Sequence, residues 1–293
     1  MRTGLGNCSF LLGAAAAMLA LSLPSSAQLT KYDLEKTMNA ESHVGKITGH
    51  AKDAKMQYRR YCVGCHGELG DGNGENAPYM LPPMYQQPRN FQLGVFKCRS
   101  TPTGTLPTDE DLSDSIARGF DRSNMPQWSQ LTKQERADLV AWIKHYSPRW
   151  AGEKPGTPIT IPPEPELTPE RIKAGREVFA RVQCWKCHGV TGEANGPSAA
   201  TLTDDLGRPI LPFNFAEGAR PKCGDTDKDI YRIFMTGLDG TPMPSFADNI
   251  KPDEAWDLVF YLRTLMSQHS KEKEMAKQLG LKPVDPNAPA PQQ

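Results

Sequence analysis

Excess charge of either sign is missing from this chain of 293 residues: Lys plus Arg and Asp plus Glu stand at 34 each. That balance argues against a nucleic-acid binder, which carries a basic excess. Apolar residues are also scarce, at 38%, below the usual share of a globular chain. Convincing period-two alternation is absent, so nothing announces a β-sheet, and the fold class expected is all-α. After the N-terminus there is no further apolar run long enough to be a transmembrane candidate. The one such run, Phe10 to Leu23, follows Arg2 and precedes the small residues Ser25, Ser26 and Ala27. It reads as a signal peptide over residues 1–27, cut after Ala27. Its length falls short of the ~20 residues of a spanning helix. The mature protein is therefore expected in the periplasm, without a stable membrane span. Cys8 lies before the apolar run and leaves with the signal.

Proline, by contrast, is plentiful at 26 residues. Pro155, Pro158, Pro162, Pro163 and Pro165 crowd residues 149–167, which read as an extended, semi-rigid linker that spaces two domains. Residues 50–148 and 168–270 form those domains. Residues 271–293, charged and then rich in Pro, Asn and Gln, read as a flexible tail.

The two domains are copies. Cys62-Val63-Gly64-Cys65-His66-Gly67 matches Cys184-Trp185-Lys186-Cys187-His188-Gly189, and the match continues in order. Gly70 answers Gly192, and Asn73-Gly74 answers Asn195-Gly196. Pro88 to Phe91 and Pro212 to Phe215 share Pro-x-Asn-Phe. Lys97-Cys98 pairs with Lys222-Cys223, and Met125-Pro126 with Met243-Pro244. An ordered series of this kind is the signature of a duplicated unit. Helix signals frame each copy. Thr168-Pro169 opens a helix carrying Ile172, Gly175, Val178 and Phe179 on one face. Ala54 and Tyr58 repeat the small-then-aromatic spacing of Gly175 and Phe179. Thr108 and Asp225 each precede an apolar helical pattern. Thr132-x-x-Glu135 is a capping box ahead of Leu139, Val140, Trp142 and Ile143. Pro252 opens the final helix.

C-x-x-C-H is the attachment signature of a c-type haem. The paired sulfurs of Cys62 and Cys65, and of Cys184 and Cys187, can form thioethers with the two vinyl groups of one porphyrin, and His66 or His188 then reaches the iron. A zinc or thiol-disulfide site is the competing reading of one such motif. Two in-register copies behind a secretion signal, with no further C-x-x-C pair to complete a tetrahedron, weigh against it. Two covalently bound haems c are therefore expected, and they would add apolar core to a chain that has little of its own.

For the sixth ligands Met125 and Met243 stand out. They fall 59 and 55 residues after their histidines, each before Pro and just ahead of the last helix. Met and His together raise a haem's potential, and a filled sixth position suits electron transfer. Met80 and Met84 have no matched partners in the second copy and read as loop or pocket packing. His43, His50, His145 and His269 fall outside the repeat and read as surface or interface residues. Tyr61, Trp128 and Trp185 read as pocket packing.

These motifs, over roughly residues 50 to 148 and 168 to 268, resemble the class I cytochrome c family in tandem di-haem form. The resemblance implies three to five helices around each haem, the first and last crossing at the Gly175/Phe179 contact, and an exposed haem edge. Phe96 to Leu112 and Asp239 to Phe246 also resemble cytochromes that serve periplasmic molybdenum oxidoreductases and respiratory chains. The partners implied are redox proteins, among them such an oxidoreductase or a terminal oxidase.

Cys98 and Cys223 depart from the family pattern. They hold matching positions in the copies, and a pseudo-two-fold axis would bring them together, so a disulfide between them is one reading. Free buried thiols or an iron ligand are the others. The function expected is single-electron transfer, without a catalytic constellation. The alternatives are a di-haem redox enzyme of the peroxidase or thiosulfate dehydrogenase type, or a soluble haem subunit of a larger oxidoreductase complex.

Overall fold

The computed structural model describes residues 38–82, 86–121, 123–266 and 270–287. The signal-peptide segment, Met84 and His269 lie outside the described residues.

Each copy is built on one helix crossing. In the first domain α1 (Ala51–Tyr61) packs on α4 (Lys133–His145), with α2 (Val63–His66) and α3 (Asp109–Arg118) between them in sequence. After the short α5 (Arg149–Gly152), the second domain repeats the set. Its α6 (Pro169–Arg181) packs on α9 (Pro252–Leu265), with α7 (Trp185–His188) and α8 (Asp227–Thr236) between. The crossing needs a small residue. A Cβ at Gly175 would come 1.9 Å from the Asp257 carbonyl oxygen, so only glycine lets these two backbones approach. In the first domain Ala54, fully buried, fills the matched place. Beside each small residue an aromatic pair closes the contact, Tyr58 with Trp142 at 5.5 Å and Phe179 with Tyr261 at 5.3 Å. Fully burying a large apolar side chain contributes ~1.5–3 kcal/mol, and Trp256, Phe179, Phe260 and Leu139 are all at most 1% exposed.

The helix starts are set by side chains that accept the first unpaired N–H groups. Thr108 with Asp111, Thr132 with Glu135, and Thr226 with Asp229 all form capping boxes. The cap of α8 is thus Thr226, one residue beyond Asp225. Pro169 and Pro252 sit in the first turns of α6 and α9.

Three regions differ from the sequence expectation. First, the fold is not wholly α. Strands β1 (Glu41–Val44) and β2 (Ile47–His50) form an antiparallel hairpin that lies on α4. The Ser42 hydroxyl donates to the Ala137 carbonyl at 2.7 Å. The backbone N–H groups of His43 and His50 donate to Asp109 and Asp138. Second, the proline-rich segment does not hold the domains apart. It is strapped to both: Gly156 N–H donates to the Leu106 carbonyl, Ile159 N–H to Ser100, and the Trp256 indole to Pro162. Third, residues after Ser270 do not all trail free. Lys271–Gln278 form α10, the Arg176 guanidinium holds the carbonyls of Lys282 and Pro283, and Val284 is buried. His145 also departs from its surface assignment. It is 4% exposed, packed against the ring of Tyr146 at 4.2 Å.

The domains meet along a seam around Cys98 and Cys223, which are joined by a disulfide with Cα atoms 5.1 Å apart. On one side the Arg99 guanidinium bonds Asp239 and the Thr236 carbonyl. On the other, Arg220 pairs with Asp121 at 3.1 Å. Asp121 and Asp239 follow the matched helix-ending residues Gly119 and Gly237 by two, so each domain lends the same loop to the other's arginine.

Candidate functional site

Each C-x-x-C-H motif folds as one helical turn. His66 N–H donates to the Cys62 carbonyl at 2.9 Å, and His188 N–H to that of Cys184 at 3.0 Å. One turn of α-helix puts residues i, i+3 and i+4 on one face. Both sulfurs and the imidazole of each motif therefore project together. The turn ends at Gly67 and Gly189, with φ of 77° and 80°. There the chain reverses through Gly74 and Gly196, whose N–H groups return to the carbonyls of Cys65 and Cys187.

The histidines are held identically. His66 Nδ1 lies 3.1 Å from the Arg89 carbonyl, and His188 Nδ1 lies 2.9 Å from that of Phe213. A carbonyl can only accept, so Nδ1 carries the proton and Nε2 presents its lone pair. Burial pushes the His66 imidazole down to about 4, against the opposing effect of that hydrogen bond. Burial pushes His188 down as well. Both rings are neutral at pH 7, the form that ligates a metal. The ring planes are set by phenylalanine: Phe91 stacks on His66 at 4.3 Å, and Phe215 lies 5.0 Å from His188.

Arg89, Phe91, Phe213 and Phe215 all belong to the repeated Pro-x-Asn-Phe. Its role was missed at the sequence level, although the repeat itself was visible. Asn90 and Asn214 accept the N–H of the second residue beyond and start a tight helical turn. This fixes both the carbonyl that holds the histidine and the ring that stacks on it. Such support orients a metal-ligating histidine and raises its basicity.

The methionines sit on equally matched loops. Phe120 N–H donates to the Met125 carbonyl at 3.0 Å, and Leu238 N–H to Met243 at 3.0 Å. Each loop rests on the glycine that ends α3 or α8. A Cβ at Gly119 would strike the Pro126 backbone at 2.6 Å, and one at Gly237 the Ser245 backbone at 2.6 Å. Trp128 and Phe246 then pin the loop back to the carbonyls of Ile116 and Phe234.

In the first domain Cys62, Cys65, His66 and Met125 line one largely apolar cavity, about 1260 Å³ including the solvent in its mouth. Tyr61 and Trp128 meet there at 4.9 Å, and Met80, 6% exposed, also lines it. In the second domain Cys184, Trp185, Phe213 and Met243 pack against one core. Burial raises the Cys62 and Cys184 thiols to about 12. These sulfurs are not the low-pKa thiolates of exchange chemistry. Among the described residues no group of three or more His, Cys, Asp or Glu gathers as a metal site. The donor sets fit a haem: each gives two sulfurs and a neutral imidazole from one turn and a matched methionine loop, and in the first domain these border one largely apolar space. Cys62, Cys65 and His66 would hold one haem, and Cys184, Cys187 and His188 the other.

Comparison with known proteins agrees with this architecture. Residues 172–266 match the family described as Cytochrome c, and residues 49–143 match the family of subunit III of the cbb3-type cytochrome c oxidase. No curated protein matches the chain. Among solved structures, a chain of the Kuenenia stuttgartiensis reducing HAO-like protein complex Kustc0457/Kustc0458 is 41% identical, with a TM-score of 0.70. The match covers 76% of this chain and 97% of that one.

Proposed function

The chain belongs to the di-haem cytochrome c family, and from that premise we propose that it passes single electrons between redox proteins in the periplasm. The observation that carries this reading is the duplicated ligand geometry: two neutral histidines, each tethered through Nδ1, each accompanied by an equivalent methionine loop. When bound, the haem iron supplies a one-electron Fe(III)/Fe(II) couple, and Met/His ligation favours the reduced state.

The protein's own residues do the rest. The Arg89 and Phe213 carbonyls hold the Nδ1 protons and keep Nε2 aimed. Met125 and Met243 are the residues that would supply each iron's second protein ligand, and so bound they would deny that place to small oxidants. Phe91 and Phe215 fix the imidazole planes, so ligand geometry changes little when charge changes. The Cys98–Cys223 bond and the two Asp–Arg pairs keep the domains in one arrangement, so the distance between the redox centres is fixed.

A second reading has a specific observation in its favour. The similar solved chain is described as part of a complex, and its likeness supports a haem subunit resident on a larger oxidoreductase. A molybdenum oxidoreductase or a respiratory terminal oxidase would be served by the same one-electron steps. Anaerobic reductive titration of the purified holoprotein tests the first reading. Two one-electron steps per chain, with a spectrum unchanged by peroxide or thiosulfate, are expected. Turnover of either compound would replace the carrier with an enzyme. Co-purification of the chain at its native level with a fixed amount of one oxidoreductase would favour the resident subunit.

A further inference from the structure

The cavity of the first domain is not made by the first domain alone. Arg89, Lys97 and Cys98 line it, and so does Lys222 from the second domain. Lys222 adjoins Cys223, so the disulfide carries this residue across the seam. Lys97 and Lys222 occupy matched positions in the two copies, yet both border the first domain's cavity.

Three cations around one largely apolar cavity form an unusual cluster. Burial makes the charge of Lys97 costly, and the nearby charges of Arg89 and Lys222 add to that cost. Its ammonium donates to the Gln86 amide oxygen, a neutral partner that supplies no counter-charge. Buried like charges are tolerated where an anion balances them. The carboxylates of Asp204 and Asp205, which lie in the second domain, act on both Arg89 and Lys97. A c-type haem brings two carboxylates on one edge, and its vinyl edge is fixed elsewhere, at Cys62 and Cys65.

We propose that Lys222 of the second domain, with Lys97 and Arg89, receives the carboxylate edge of the first haem, so that the second domain completes the first haem's pocket and raises its reduction potential. The inference rests on the cytochrome reading above. Cations near a haem favour the form with one less positive charge, Fe(II). The Cys98–Cys223 bond serves this arrangement by holding Lys222 in place. The seam that joins the domains therefore also tunes one of the two haems.

The test uses the full-length holoprotein. Covalent haem is counted by intact mass, and the two one-electron steps are resolved by spectroelectrochemical titration. The step belonging to the first domain is identified as the one displaced downward by Met125→His. Lys222→Gln is expected to lower that same step and leave the other in place, with two haems retained. Cys98→Ser with Cys223→Ser is expected to move it in the same direction. Lys133→Gln, an exposed position that does not line the cavity, serves as the charge control. A Lys222→Gln protein with two haems and an unmoved first step, or with the second step moved instead, would overturn the proposal. A wild-type chain without two covalent haems would instead overturn the cytochrome reading, and mass reports that separately.

Discussion

The two domains carry one ligand design inside different surroundings. Histidine tether, phenylalanine stack and methionine loop correspond residue for residue, down to the 3.0 Å bonds that close both methionine loops. What differs is how each core is covered. The first domain lays the β1–β2 hairpin over α4, before its copy of the fold begins. The second lays α10 and Val284 over α9 and α6, after its copy ends. The seam is unequal as well. Arg99 is fully buried and Asp239 is 16% exposed, whereas Arg220 and Asp121 are 41% and 37% exposed. Duplication preserved what the metal chemistry requires and left cover and interface to diverge. The unequal parts are therefore where the two haems can acquire different properties.

The largest expected effect separates the copies outright. Replacing Cys184 and Cys187 with alanine should remove one haem by mass and one of the two redox steps. The other step should persist, because the first domain has its own core around Tyr58, Leu139 and Trp142. Loss of both steps would show that the copies do not hold their cofactors independently.

At the seam, Asp239→Ala strands the buried Arg99 charge. Breaking such a pair costs about 3 kcal/mol or more. The matched Asp121→Ala touches an exposed pair, for which about 1 kcal/mol or less is expected. Urea unfolding of both variants measures the ratio, and equal losses would mean that the two clasps are equivalent after all. At the helix crossings, Gly175→Ala forces a methyl group onto the Asp257 carbonyl and should cost about 1–3 kcal/mol. Ala54→Gly in the first domain loses only helix propensity and a methyl contact, about 1 kcal/mol. Thermal midpoints of the two variants should fall in that order.

The smallest effect is one of pH. Burial holds His145 down at about 4, so the unfolded chain, with an ordinary histidine near 6.5, binds more protons between those values. The stability contributed by neutral His145 is complete above about pH 6.5 and is lost as pH falls toward 4. The Trp142 carbonyl and the Tyr146 ring face it from its own helix. Thr264 holds the matched place in the second domain, so His145→Phe should flatten the acid-side loss of the first domain only. An unchanged profile would place the acid sensitivity elsewhere.

Much of this was legible before any coordinates. The tandem copies and the C-x-x-C-H turns are local, repeated signals, and each corresponds to a backbone constraint; the Gly175 crossing followed from the family resemblance. The hairpin was not legible because its buried positions are Ser42 and Gly49. Period two is present there, but small residues carry it and no apolar stripe results. The helix Lys271–Gln278 is hidden by its charge. Only Met275 and Ala276 touch the core, too few to outweigh the lysines and glutamates around them. The strapping of the proline-rich segment depends on carbonyls and N–H groups that no side chain advertises. The role of Pro-x-Asn-Phe was concealed for the same reason, since the working atoms are the backbone oxygens of Arg89 and Phe213.

The most direct test of the central claim is the red absorption of the fully oxidised protein, where methionine sulfur bound to ferric haem gives a charge-transfer band. The predicted result is a band of two haems' strength that falls by half in Met125→His and by half in Met243→His. A wild-type band of half strength or none would mean that at least one iron lacks its methionine, and would contradict the pairing of His66 with Met125 and His188 with Met243.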